Sequence, residues 1–128
     1  MPFARLSIRT LSVAALAVAL TAGAARAPRH TTLVKSEPAT GSTVAKAPTQ
    51  LKLYYSERVD LKVSKFKLTG GRGGAITLGP ASIDETQRGM PVVVPVTGSV
   101  SSGAYTIDWT VASDDGHAVK GTIHFTVK

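Results

Sequence analysis

Short runs of alternating hydrophobic and polar residues fill the second half of the chain and set its predicted architecture. Leu51, Leu53 and Tyr55 alternate with Lys52, Tyr54 and Ser56, a period of two that predicts a strand. In residues 63–68, Phe66 and Leu68 fall on one face, with Lys65 and Lys67 on the other. Tyr105, Ile107 and Trp109 against Thr106, Asp108 and Thr110 form the clearest alternation, over residues 104–112. Ile123, Phe125 and Val127 against Thr122, His124 and Thr126 close the chain within a strand over 118–127. Shorter strands are predicted at 30–34, 75–78 and 92–96. Pro95 cannot donate to a ladder, which favours an edge or a bulge for the last of these. Turn-forming residues separate the runs: Ala39-Thr40-Gly41-Ser42, the glycines of 70–74, the polar stretch 79–91, and 98–103. After the first 27 residues no stretch of ten or more carries a helical period. About seven short strands, with turn signals roughly every ten residues, predict an all-β sandwich.

The first 27 residues have a different pattern and read as an address. Arg5 and Arg9 precede an uncharged apolar run over 11–22, too short for a spanning helix of about 20 residues. Ala22-Gly23-Ala24 and Ala25-Arg26-Ala27 both fit a small-x-small cleavage site. Cleavage after Ala27 would leave Pro28 at the cut, which disfavours it against cleavage after Ala24. Residues 1–27 are expected to contain a secretory signal peptide, cleaved after Ala24 or Ala27, and 28–128 to form one small domain working outside the cytoplasm without membrane insertion.

Removing the leader changes the charge. The whole chain of 128 residues carries 15 Lys and Arg against 8 Asp and Glu; removal of all of residues 1–27 takes away Arg5, Arg9 and Arg26 and leaves 12 against 8, a net charge of about +4. No basic helix or aromatic-interleaved basic patch is present, so a nucleic-acid partner is not expected. There is no cysteine, which excludes both a disulfide framework and a thiolate metal site. The glycines of 70–74 are followed by no helix-forming segment and read as a hairpin turn, not a phosphate loop.

Candidate chemistry gathers at Ser113-Asp114-Asp115-Gly116-His117, between the last two strands. Asp115 and His117 are two apart, so at a strand end both side chains point to one side. An imidazole beside a carboxylate suits Cu(II) or Zn(II). Asp-Gly is equally an ordinary hairpin turn. His30 lies at the first strand, near the new N-terminus. His124 alternates out of phase with the core residues of its strand and is expected to face solvent. Ser113 has no nucleophile elbow or helix N-terminus to activate it.

The run His30-x-x-Leu33-Val34-x-Ser36-x-Pro38-Ala39-x-Gly41 resembles the opening of CopC-like periplasmic copper-resistance domains. Ala47-Pro48 followed by Leu51-x-Leu53-x-Tyr55-Ser56-Glu57 is similar to that family's second motif. Gly103-x-Tyr105-Thr106-x-x-Trp109-x-Val111-x-Ser113-x-Asp115-Gly116-His117-x-Val119-x-Gly121-x-Ile123-x-Phe125-x-Val127 resembles its C-terminal signature. The resemblance implies an immunoglobulin-like β-sandwich that binds one Cu(II) through His30, Asp115 and His117, with Glu57 also associated with the site. It further implies an exported, periplasmic, monomeric copper buffer or carrier in copper homeostasis and resistance, working beside an inner-membrane protein of the CopD type. Two departures stand out. Pro28 and Arg29 precede His30, so the terminal amine is not that of the histidine. Beyond the leader only Met90 remains, so a soft thioether site for Cu(I) lacks ligands. The alternatives are a metal-free immunoglobulin-like interaction module and a histidine-ligated copper oxidative enzyme. The scarcity of aromatic residues outside strand-core phase speaks against the enzyme.

Overall fold

The computed structural model describes residues 30–128; the expected leader and both of its cleavage points lie outside the described residues. The longest ladder joins Gly103–Ala112 and Ala118–Val127 as an antiparallel pair, from Gly103 opposite Val127 to Ala112 opposite Ala118. In chain order the strands are β1 Leu33–Glu37, β2 Ser42–Val44, β3 Gln50–Tyr55, β4 Lys65–Gly70, β5 Ala75–Ile76, β6 Ser82–Ile83, β7 Val92–Pro95, β8 Gly103–Ala112 and β9 Ala118–Val127. One sheet has the order β1-β3-β7-β6 and the other β2-β9-β8-β4-β5.

The alternation read from the sequence builds the core. Leu51 and Leu53 of β3 and Val92 and Val94 of β7 meet Leu68 of β4, Ile107, Trp109 and Val111 of β8, and Ile123 and Phe125 of β9. Of the side chains out of phase, Asp108, His124 and Lys67 are exposed and Lys52, Thr106 and Thr110 half-buried, whereas Tyr54, expected on the outer face of β3, is buried. Each fully buried Leu, Ile or Val contributes about 1.5–3 kcal/mol relative to exposure, and the sandwich rests on these terms without any disulfide.

The all-β sandwich is as expected, and several local boundaries differ. The described residues hold nine strands, where about seven are predicted. The first strand begins at Leu33, not at His30, and runs through Glu37. The turn at 39–42 is followed by β2, which pairs in parallel with β9. The strand expected from residue 63 starts at Lys65, because Leu61–Val63 is a 3₁₀ turn whose Lys62 N–H is capped by Asp60. The strand expected over 75–78 is shortened to Ala75–Ile76, with Leu78 in an isolated bridge to Val96. The stretch 79–91 contains β6, a two-residue strand held by Val92 and Val93. Nor is β7 an edge: it lies between β3 and β6, and Pro95 stands past the residues that pair with β6. Its carbonyl still accepts from the Gly79 N–H at 2.8 Å.

The connection from β3 to β4 fastens both sheets at one end of the sandwich. Ser56 exchanges hydrogen bonds with Thr32, just ahead of β1. A few residues on, Val59 bridges Ser113, and the Asp60 N–H donates to the Ala112 carbonyl at 2.8 Å. This end of the molecule carries the candidate chemistry.

Candidate metal centre

The turn after β8 is built by local hydrogen bonds. The Gly116 N–H donates to the Ser113 carbonyl at 2.9 Å, and Gly116 has a φ of +77°, where a side chain would be strained. Inside the turn, Asp115 Oδ1 accepts twice, from the His117 N–H at 3.0 Å and from the Ser113 hydroxyl at 2.9 Å. These two donors hold the Asp115 carboxyl below its ordinary value, the His117 amide being the larger influence, so it is an anion at neutral pH. The second oxygen, Oδ2, faces His117 Nδ1 at 3.4 Å. The His117 side chain is 63% exposed.

His30 reaches this turn from the other end of the described chain. Thr31 next to it is buried, and Thr32 is held by Ser56, so the segment ahead of β1 lies against the end of β3. The His30 and His117 rings stand 5.9 Å apart, centroid to centroid, tilted by 50°. A metal about 2.0 Å from an imidazole nitrogen is about 3.1 Å from the ring centroid, so two rings sharing one ion lie roughly 4.4 Å apart at right angles and roughly 6.2 Å apart on opposite sides. The observed spacing falls in that interval. The donor set of two imidazoles and a carboxylate oxygen fits a borderline divalent ion.

Of the four residues expected at the site, the structure brings His30 to His117 and His117 to Asp115. Glu57 is exposed just after β3. Among the described residues no three His, Cys, Asp or Glu side chains close into one metal-holding group, so the contacts are pairwise. His124 lies on the outer face of the five-stranded sheet, its Nδ1 at 3.2 Å from Thr106 Oγ1, as its phase predicts. Sequence reasoning did not assign roles to Ser56 and Ser113. Asp115-x-His117 is an Asx-turn pattern from which the His117 N–H bond could have been read; the Ser113 hydroxyl bond and the Ser56–Thr32 pair have no such local signal.

Three comparisons bear on identity. Protein YobA of Escherichia coli (strain K12) is 37% identical over 99 residues, 77% of this chain and 79% of that protein. Copper resistance protein C of Xanthomonas campestris pv. juglandis is 30% identical over 126 residues, 95% of this chain and 98% of its own. The crystal structure of PcoC, a methionine-rich copper resistance protein from Escherichia coli, superposes with a TM-score of 0.67 at 28% identity, covering 78% of this chain and 100% of that one. With the CopC domain model matching residues 33–128, all nine strands of the sandwich, this chain belongs to the CopC family of copper-resistance proteins.

Proposed function

We propose that this protein is exported to the periplasm and there binds a single Cu(II) ion through His30, Asp115 and His117, acting as a copper buffer or carrier. The observation that carries this reading is the approach of the His30 and His117 rings at 5.9 Å, beside a carboxylate fixed on the same turn. The family match begins at Leu33, so the assignment of His30 rests on that contact and on the resemblance of the opening motif. Asp115 offers Oδ2, since Oδ1 is already engaged twice. Nitrogen and oxygen donors of this kind hold Cu(II) more tightly than Zn(II). Glu57, exposed just after β3, is proposed as an auxiliary group.

The copper stays in its oxidised state here. PcoC is described as methionine-rich, whereas this chain has two methionines in all, Met1 and Met90. A thioether site for Cu(I) therefore lacks ligands. The family is one of copper-resistance proteins, not of enzymes. We place an inner-membrane copper protein of the CopD type as the exchange partner, with the chain itself monomeric.

Copper titration of the exported protein tests the reading. His30→Ala and His117→Ala should each weaken Cu(II) binding at least about tenfold, or about 1.4 kcal/mol. His124→Ala should leave it unchanged. A site that needs His124 and tolerates loss of His117 would lie elsewhere on the molecule. A chain that binds no copper at all would be the metal-free interaction module.

A further inference from the structure

Two serines grip the two halves of this site through hydrogen bonds within the protein. Ser56 holds both sides of Thr32: its hydroxyl oxygen accepts the Thr32 N–H at 2.9 Å, and its own N–H donates to the Thr32 carbonyl at 2.9 Å. Thr32 is two residues from His30, and a chain end ahead of its first strand frays unless tied down. Ser113 is 6% exposed, and its hydroxyl donates to Asp115 Oδ1 at 2.9 Å. With the His117 N–H on the same oxygen, the carboxylate cannot swing, and Oδ2 is left toward the imidazole. Both serines belong to one frame, because Val59, three residues after Ser56, bridges Ser113.

We infer that Ser56 and Ser113 are the positioning residues of the copper site, Ser56 for His30 and Ser113 for Asp115; this rests on the copper-site reading above. The two act independently. Ser56 sets whether the second imidazole arrives at the ion, and Ser113 sets which carboxylate oxygen it meets. The loss of either hydroxyl removes one hydrogen bond and leaves the backbone partners in place, so the fold is kept while the site loosens.

Double-mutant cycles on the full exported chain test this, with Cu(II) affinity from chelator competition and ligand type from the Cu(II) electron paramagnetic resonance spectrum. Ser56→Ala should weaken binding about five- to tenfold, the effect of one lost hydrogen bond. It should have no further effect in the His30→Ala background, yet keep its full effect in Asp115→Asn. Ser113→Ala should show the opposite pattern, silent in Asp115→Asn and fully expressed in His30→Ala. The spectrum of Ser56→Ala should lose nitrogen coupling, that of Ser113→Ala should keep it, and Ser56→Thr should restore both affinity and spectrum. A merely structural role would lower the unfolding midpoint of the metal-free protein and show no such pairing. If His30→Ala weakens copper binding while Ser56→Ala does not, or if the two add, the inference fails and the site reading stands. If His30→Ala is itself without effect, the site reading fails and the inference with it.

Discussion

Gly121 lacks a side chain where Trp109 fills the space one would take. The two are cross-strand partners on β9 and β8, and an ideal Cβ at Gly121 would stand 2.8 Å from Trp109 Cε2 and 3.1 Å from Nε1. On its other side the indole meets the Tyr55 ring edge-on, with centroids 5.3 Å apart. Trp109 thus joins the two sheets close to the end that carries His30. Trp109→Ala should cost about 3–5 kcal/mol in denaturant unfolding. Gly121→Ala should cost about 1–3 kcal/mol, because the ring must move off its rotamer or the strands must part. A solvent-exposed tryptophan emission spectrum in the native protein, or a neutral Gly121→Ala, would contradict this packing. The burial of Trp109 is legible in its phase with Tyr105 and Ile107. The demand on Gly121 is not, since it comes from a neighbour across the ladder.

Among the elements, the segment after β6 shows how short strands are held. The Asp84 N–H donates to the Pro91 carbonyl at 3.0 Å, and Asp84 Oδ1 accepts the Thr86 hydroxyl at 2.6 Å and the Thr86 N–H at 3.0 Å. The two bonds from Thr86, the hydroxyl first, hold the Asp84 carboxyl below its ordinary value of 3.8. The folded state therefore binds its proton less readily than the unfolded chain does. The resulting stabilisation is complete above the unfolded value and is lost as pH falls through the folded value, below about pH 4. Asp84→Asn should lower the urea midpoint slightly at neutral pH, and the two curves should converge in acid. Midpoints that stay parallel down to low pH would refute the role. The neighbouring Arg58–Glu85 pair at 2.7 Å is exposed on both sides and should contribute little.

At the scale of the molecule, copper would tie the start of β1 to the turn between β8 and β9, and so one sheet to the other. Saturation at about a hundredfold excess over the dissociation constant stabilises a fold by about 2.7 kcal/mol, so Cu(II) should raise the unfolding midpoint and His30→Ala should abolish most of that rise. If the leader is cut after Ala24, five residues, 25–29, would precede His30, and the amine would be too far along the chain to close a small chelate ring with its imidazole. A chain shortened to begin at His30 should bind Cu(II) more tightly and show a larger rise in midpoint. An equal or smaller rise would mean that the amine is not a missing ligand.

The sequence by itself determined what depends on near neighbours. Period-two alternation placed β3, β8 and β9, and with them most of the core. Asp-Gly chemistry placed the turn at 113–116, and with it Asp115 beside His117. These features need only two to five consecutive residues. The tertiary structure alone decided what depends on distant segments meeting. The parallel pairing of β2 with β9 requires Ser42 to find Phe125, and no local period announces it. β6 is a strand because Val92 and Val93 lie beside it, and β7 is interior despite Pro95 for the same reason. His30 could be singled out by its motif, but its distance from His117 was fixed by the closure of the two sheets and by the Ser56–Thr32 pair that anchors the chain ahead of β1. Alternation specifies which face of a strand is buried; it carries no information about which strand, or which side chain, arrives on the other side.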